Sequence, residues 1–235
     1  MVTSRMQSNR IVRAVSNRLH RWQNAAYYKR LSVGEAFSTI YRSQIWGALP
    51  DRPFCSGEGS IREEVVAPYC RMVRDFIESH NIKRVVDLGC GDFGVGSRLI
   101  SSHIHYTGID VVPNLIRYNQ EHFASANAEF RCMNIIEDEL PEGDLCLVRQ
   151  VLQHLSNEQI LKTLKSLARY RHVIATEHVY SGLGLRRNRD KPQGPGTRMP
   201  KRSGVFLESP PFNRPAKLLL EVPLAENEIL RSVLI

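Results

Sequence analysis

The sequence predicts an α/β fold, a mostly parallel sheet with helices on both faces, and three observations predict it. A short apolar run, Val85-Val86-Asp87-Leu88, breaks into Gly89, Gly91 and Gly94. A second run ends in Gly108-Ile109-Asp110, about twenty residues past the glycines. Beyond it, further apolar runs alternate with helical patterns, the order expected of parallel strands joined by crossover helices.

The elements follow in chain order. Glycines let the backbone turn tightly and approach a ligand, a helical pattern follows them, and an exposed acid at the tip of the next strand can accept both hydroxyls of a ribose. Residues 85–110 are therefore a nucleotide-binding βαβ unit. Leu115, Ile116 and Phe123 mark a helix, and Ala128 to Asn134 a third strand. Strand four is Asp144 to Val148, running into Arg149-Gln150-Val151-Leu152-Gln153-His154, and strand five is Tyr170 to His178. Lys217 to Val222 and Ile229 to Ile235, separated by Ala225-Glu-Asn-Glu228, read as a closing hairpin.

Gly89, Gly91 and Gly94 satisfy the general GxGxxG fingerprint, which by itself chooses no cofactor. Asp87 chooses. A carboxylate buried late in the strand repels a pyrophosphate, as in NAD, and favours a sulfonium and its amino group. The run Asp87-Leu-Gly-Cys-Gly91 resembles motif I of the class I S-adenosylmethionine (SAM) dependent methyltransferases, and Asp110 resembles their second-strand acid. The resemblance spans roughly residues 61–235 and is similar to small bacterial members of the family. It implies a Rossmann-like, seven-stranded sheet with an antiparallel last strand, and SAM as cofactor. It also implies cofactor contacts from Asp87, Gly89, Cys90, Gly91, Asp110 and Val111, with Met133 and Asn134 at the adenine and Gln150 near the methyl group. Asn134 stands where the family often has an Asp, and its carbonyl would accept from the exocyclic amine.

The 235 residues fit one such domain, 61–235, preceded by a helical cap or lid over 1–60. Cys55, Cys70, Cys90, Cys132 and Cys146 show no metal-binding spacing, so reduced cysteines in a cytoplasmic protein are expected. No apolar run reaches about 18 residues, which argues against a membrane span. Ile11, Val15, Leu19 and Trp22 share one face of a basic amphipathic helix that would pack on the domain or on a second copy of the chain.

The net charge of +8 points to an anionic partner. Much of it lies in a Gly- and Pro-rich loop, 181–204, projecting from strand five, where Asn188, Arg189 and Arg198 are expected to hold a small anionic acceptor. Tyr41 and Trp46, in the lid, join the acceptor contacts, and the Ser56-Gly-x-Gly-Ser60 loop offers N–H groups to the methionine carboxylate. Methyl transfer is an in-line displacement that needs a base when the acceptor is a hydroxyl, and His178, Glu177 and His154 are the candidates. The alternatives are an RNA methyltransferase, favoured by the arginines, and a catalytically silent SAM-binding partner. Against RNA stands the lack of an Asn/Asp-Pro-Pro-Tyr motif after strand four.

Overall fold

The computed structural model of the chain describes residues 25–235. The basic segment Ile11 to Trp22 lies outside the described residues, as does the first part of the expected cap.

Helix α1, Val33–Arg42, starts at a Ser32/Glu35 capping box and buries Phe37, Ile40 and Tyr41. Helix α2, Glu63–Ser79, leads into strand β1, Arg84–Leu88. Strand β2, His105–Asp110, and helix α3, Pro113–Phe123, follow, the helix opening on a proline that has no N–H to lose in a first turn. Strands β3, Ala128–Cys132, and β4, Leu145–Arg149, precede helix α4, Asn157–Leu167, which begins at a second capping box, Ser156 with Gln159. Strands β5, His172–Tyr180, β6, Lys217–Ala225, and β7, Glu228–Leu234, complete the chain.

The seven strands lie in the order β3-β2-β1-β4-β5-β7-β6. β1 to β5 pair in parallel, whereas β7 runs antiparallel to both β5 and β6. The expected seven-stranded, Rossmann-like sheet with an antiparallel last strand is therefore present. The apolar residues of β1 and β4 are fully buried, as unbroken apolar runs in parallel strands require. Among the described residues, no helix is long and apolar enough to cross a membrane.

One expected element is missing. The helix after the glycines is replaced by turns and a single 3₁₀ turn, Gly96–Arg98. Phe93 has a left-handed backbone, and Gly96 packs so closely on the Tyr106 ring that a side chain there would collide with it. The segment is thus used to cover β2 rather than to cross over as a helix. Strand order reverses between β1 and β4, one neighbour leading to β2 and the other to β5. The carboxyl ends of these two strands open the crevice in which open α/β sheets bind ligands.

Candidate functional site

A cavity occupies that crevice, floored by the ends of β1, β2, β4 and β5 and roofed by the chain before α2. Its first half is acidic. Asp87 is buried and accepts the Tyr106 hydroxyl at 2.6 Å. Asp110 is buried as well, accepting the backbone N–H of Gly91 at 3.2 Å and of Val112 at 3.1 Å. Burial raises both carboxyls to about 6. The exposed strand-tip acid expected at Asp110 is therefore a buried one, which also fixes the glycine turn. Gly89 and Gly91 have φ of +74° and +55°. A side chain on either would strike Val151 or Ser56 respectively, so the turn needs glycine for conformation and for space.

The roof is tied down by named bonds. Ser56 N–H donates to Asp92 at 3.0 Å while the Asp92 N–H donates back to the Ser56 hydroxyl at 2.9 Å. The Tyr41 hydroxyl meets the same Ser56 oxygen at 3.1 Å, and the Trp46 indole N–H donates to the Pro195 carbonyl at 3.2 Å. Arg149 donates to the Gly59 carbonyl at 2.6 Å. The Ser-Gly-x-Gly-Ser loop and the Tyr41–Trp46 segment thus line the cavity, where a lid was expected.

The second half is aromatic. Phe37, Tyr41 and Trp46 pack edge on or tilted, with centroids 5.2–6.0 Å apart, and the Trp46 ring lies 4.9 Å from that of His154. Burial drives the His154 imidazole down to about 3, so it is neutral, and its Nδ1 has no hydrogen-bond partner. His154 sits in a 3₁₀ turn, Leu152–His154, rather than in the expected helix. His178 also lines the cavity, and its Nε2 lies 2.8 Å from the Glu228 carboxylate on β7. Burial lowers its pKa while Glu228 works in the opposite direction.

Residues 85–172 match the family model described as a methyltransferase domain. Over that stretch the chain is similar to methyltransferase domains. Solved structures agree on the fold. The N-methyltransferase NodS from Bradyrhizobium japonicum WM9, in complex with S-adenosylhomocysteine, is 16% identical with a TM-score of 0.58, over 83% of this chain and 97% of that one. Human N-acetylserotonin methyltransferase in complex with SAM is 15% identical with a TM-score of 0.53, over 91% of this chain and 65% of that one. DhpI in complex with S-adenosylhomocysteine is 14% identical with a TM-score of 0.54, over 86% and 98%. No curated protein matches the sequence.

Within this domain the expected cofactor residues Asp87, Gly89, Cys90, Gly91, Asp110, Val111, Met133, Asn134 and Gln150 all line the one cavity. Asn134 does so with its side chain engaged. Its carbonyl accepts from Ile136 at 3.1 Å and its amide donates to Glu137 at 3.0 Å, shaping the turn after β3.

Four other expectations are corrected. Glu177 faces away from the cavity and takes the N–H groups of Leu152 and Gln153 at 2.9 and 3.0 Å, because neighbouring strand residues point to opposite faces. Asn188 is buried and knots its loop, donating to the carbonyls of Phe206, Ser209 and Pro210 and accepting from Phe206 N–H. Arg198 is completely buried, and its guanidinium bonds the carbonyls of Leu152, Gln153, Leu155 and Arg189 and the Asn157 amide oxygen. With its five N–H groups so used, it has none left for a ligand. Arg189 is exposed and does not line the cavity. Neither of the arginines expected at an anionic acceptor lines the cavity.

Sequence reasoning missed Arg149, Phe37, Gln153 and Glu228. An arginine ending an otherwise wholly apolar strand was a visible signal for Arg149. Glu228 carried none, since only the antiparallel register of β7 brings it beside His178.

Proposed function

We propose that the chain transfers the methyl group of SAM to a hydroxyl of a small acceptor with an apolar or aromatic body. The observation that carries this reading is a single cavity whose lining joins two kinds of group. Buried carboxylates and a glycine turn make one, and Phe37, Trp46 and Leu155, with His178 held by Glu228, make the other.

The residues present fit the cofactor. Asp87 and Asp110 supply negative charge where a sulfonium, an ammonium and ribose hydroxyls need it, and Gln150 and Arg149 leave buried N–H groups without partners. An unpaired buried donor is costly unless a ligand uses it. SAM, when bound, supplies a methyl group on a positively charged sulfur. The chain's own contribution is alignment and exclusion of water, which can be worth about 7–11 kcal/mol.

A hydroxyl acceptor must lose its proton. With Nε2 held by Glu228, Nδ1 of His178 is the nitrogen left to take it, and a lowered pKa keeps the ring neutral and basic at pH 7. The apolar lining that Phe37, Trp46 and Leu155 provide favours an uncharged acceptor.

Release of S-adenosylhomocysteine, followed across a panel of phenols, sugars, phosphorylated sugars and total RNA, tests the reading. Turnover on a neutral hydroxyl compound is expected. His178→Ala should then lower kcat by roughly 10²–10⁴-fold with SAM affinity unchanged. Turnover restricted to amines, or full activity without His178, would overturn the hydroxyl assignment.

A further inference from the structure

Positive charge gathers in the chain after β5, where Arg186, Arg187, Arg189 and Arg202 are all exposed. Two backbone bonds, from Arg186 N–H to the Arg202 carbonyl at 2.8 Å and from Asn188 N–H to the Gly204 carbonyl at 3.2 Å, lay the two stretches side by side and make one patch of the four. Among the described residues none of these arginines enters an ion pair. The nearest acid in the chain, Asp190, gives its carboxylate to the backbone N–H groups of Asn157 and Lys191. Glu226 stands on the adjoining β6–β7 turn, beside the Asn227 carbonyl that takes the Ser181 N–H at 2.8 Å.

At the tip of the same stretch Leu183 is 95% exposed, against 50% for Tyr27, the next of the large apolar residues. A lone exposed leucine needs no explanation. This one is held out by its turn. The Tyr180 hydroxyl donates to the Leu183 carbonyl at 3.2 Å, and Gly182 lies so near Asn227 that a Cβ there would strike it. Gly184 has φ of +78°, with the Arg202 guanidinium beside it. An apolar side chain therefore projects from a turn anchored on both flanks, next to cations that have no counter-ion.

We propose that this turn is a membrane-docking surface, with Leu183 entering the interface of an anionic lipid bilayer while Arg186, Arg187, Arg189 and Arg202 meet headgroup phosphates. Charge complementarity chooses the occupant. An anionic leaflet attracts arginines that come within about a Debye length of it, and their forks suit phosphate oxygens. The leucine separates lipid from nucleic acid. RNA binds basic grooves that carry aromatic rings for its bases, and residues 181–204 hold no Phe, Tyr, Trp or His. An apolar tip has no counterpart on a phosphate backbone, whereas a bilayer offers it acyl chains. The same loop runs on to Pro195 and Thr197, which line the cavity, so the docking turn and part of the cavity wall belong to one segment.

Cosedimentation of the full chain with lipid vesicles tests this without SAM or acceptor, so the outcome stands apart from the methyl-transfer reading. Vesicles of phosphatidylcholine alone are compared with vesicles in which about one third of the lipid is phosphatidylserine. The wild type should bind the anionic vesicles at least about tenfold more tightly than the neutral ones, and rising salt should narrow the gap. Leu183→Ser should weaken anionic binding at least about fourfold, the equivalent of one methylene taken into the bilayer, and leave the salt dependence as it is. Arg186→Gln and Arg202→Gln should each weaken it about fivefold, and together about twenty-fivefold. All three positions are exposed, and a wild-type thermal melt checks the fold of each variant. Equal wild-type binding to the two vesicles, or binding to neither, would overturn the proposal. So would variants that bind as the wild type does, since the contact then lies elsewhere on the chain. Weakening by the arginine variants but not by Leu183→Ser would remove the inserted tip and overturn it too. If that protein also holds poly(U) with a steep salt slope, the patch belongs to RNA.

Discussion

Two sets of charged residues stood out in the sequence as ligand holders, the acids Asp87 and Asp110 and the arginines Arg189 and Arg198, and the fold treats them in opposite ways. Both acids line the cavity, while neither arginine does. The acids belong to paired parallel strands, where register places Asp87 beside Gly108 and the end of β2 beside the glycine turn. The arginines belong to a long loop with few backbone hydrogen bonds of its own. Its neighbours' carbonyls must be satisfied somehow, and Arg198 satisfies four of them. The strand-anchored acids thus keep their place on the cavity wall although each holds a bond of its own, whereas Arg198 is claimed by the carbonyls around it and Arg189 is exposed outside the cavity.

The comparison can be broken most directly at Arg198. Arg198→Met should lower unfolding free energy by about 3 kcal/mol or more, since buried carbonyls lose their donors, and a urea titration reads it. A small loss accompanied by a raised acceptor KM would return Arg198 to the role of ligand holder. Asp110→Asn is the matching test on the acidic side. The Gly91 and Val112 N–H groups are accepted by different carboxylate oxygens, so the amide keeps an acceptor for only one of them and removes the charge. SAM affinity should fall about tenfold, with a drop in melting temperature that reads the lost turn bond separately. Unchanged affinity would mean that the carboxylate serves the turn alone.

A smaller effect sharpens the comparison at His178, another strand-anchored group. Burial depresses its pKa and Glu228 opposes that, so the protonated, inactive imidazole forms only below the usual histidine range. The acid limb of kcat should therefore lie lower than for an ordinary histidine, and Glu228→Gln should move it lower still while reducing the plateau rate. A limb that moves upward would mean that Glu228 does not bear on the titrating group. The smallest effect is expected at Arg189, which is exposed: Arg189→Ala should change stability by no more than about 0.5 kcal/mol and leave both KM values as they are.

Much of this was legible in the chain. The strands, the glycine turn, the two acids and the closing hairpin follow from period, spacing and turn chemistry, which act over a few residues and leave their mark in the order of amino acids. The missing crossover helix was not legible, because its loss depends on how closely Gly96 meets Tyr106 across the sheet. Nor was the fate of the acceptor residues. Glu177 and His178 are adjacent in sequence and point to opposite faces, so only their placement in β5 separates a clamp on the β4 loop from a cavity-lining histidine.

By itself, then, the sequence determined the glycine turn between two parallel strands, the class of cofactor its acids suit and the number of strands, all consequences of local patterning. Tertiary structure alone decided which charges remain available. Whether Arg198 meets a ligand or a carbonyl, whether Glu228 reaches His178 and whether Arg149 meets the Gly59 carbonyl are questions of pairing between residues tens of positions apart. Those pairings are set by burial, which makes an unpartnered polar group costly, and the buried donors of Arg149 and Gln150 that stay unfilled belong to residues lining the cavity.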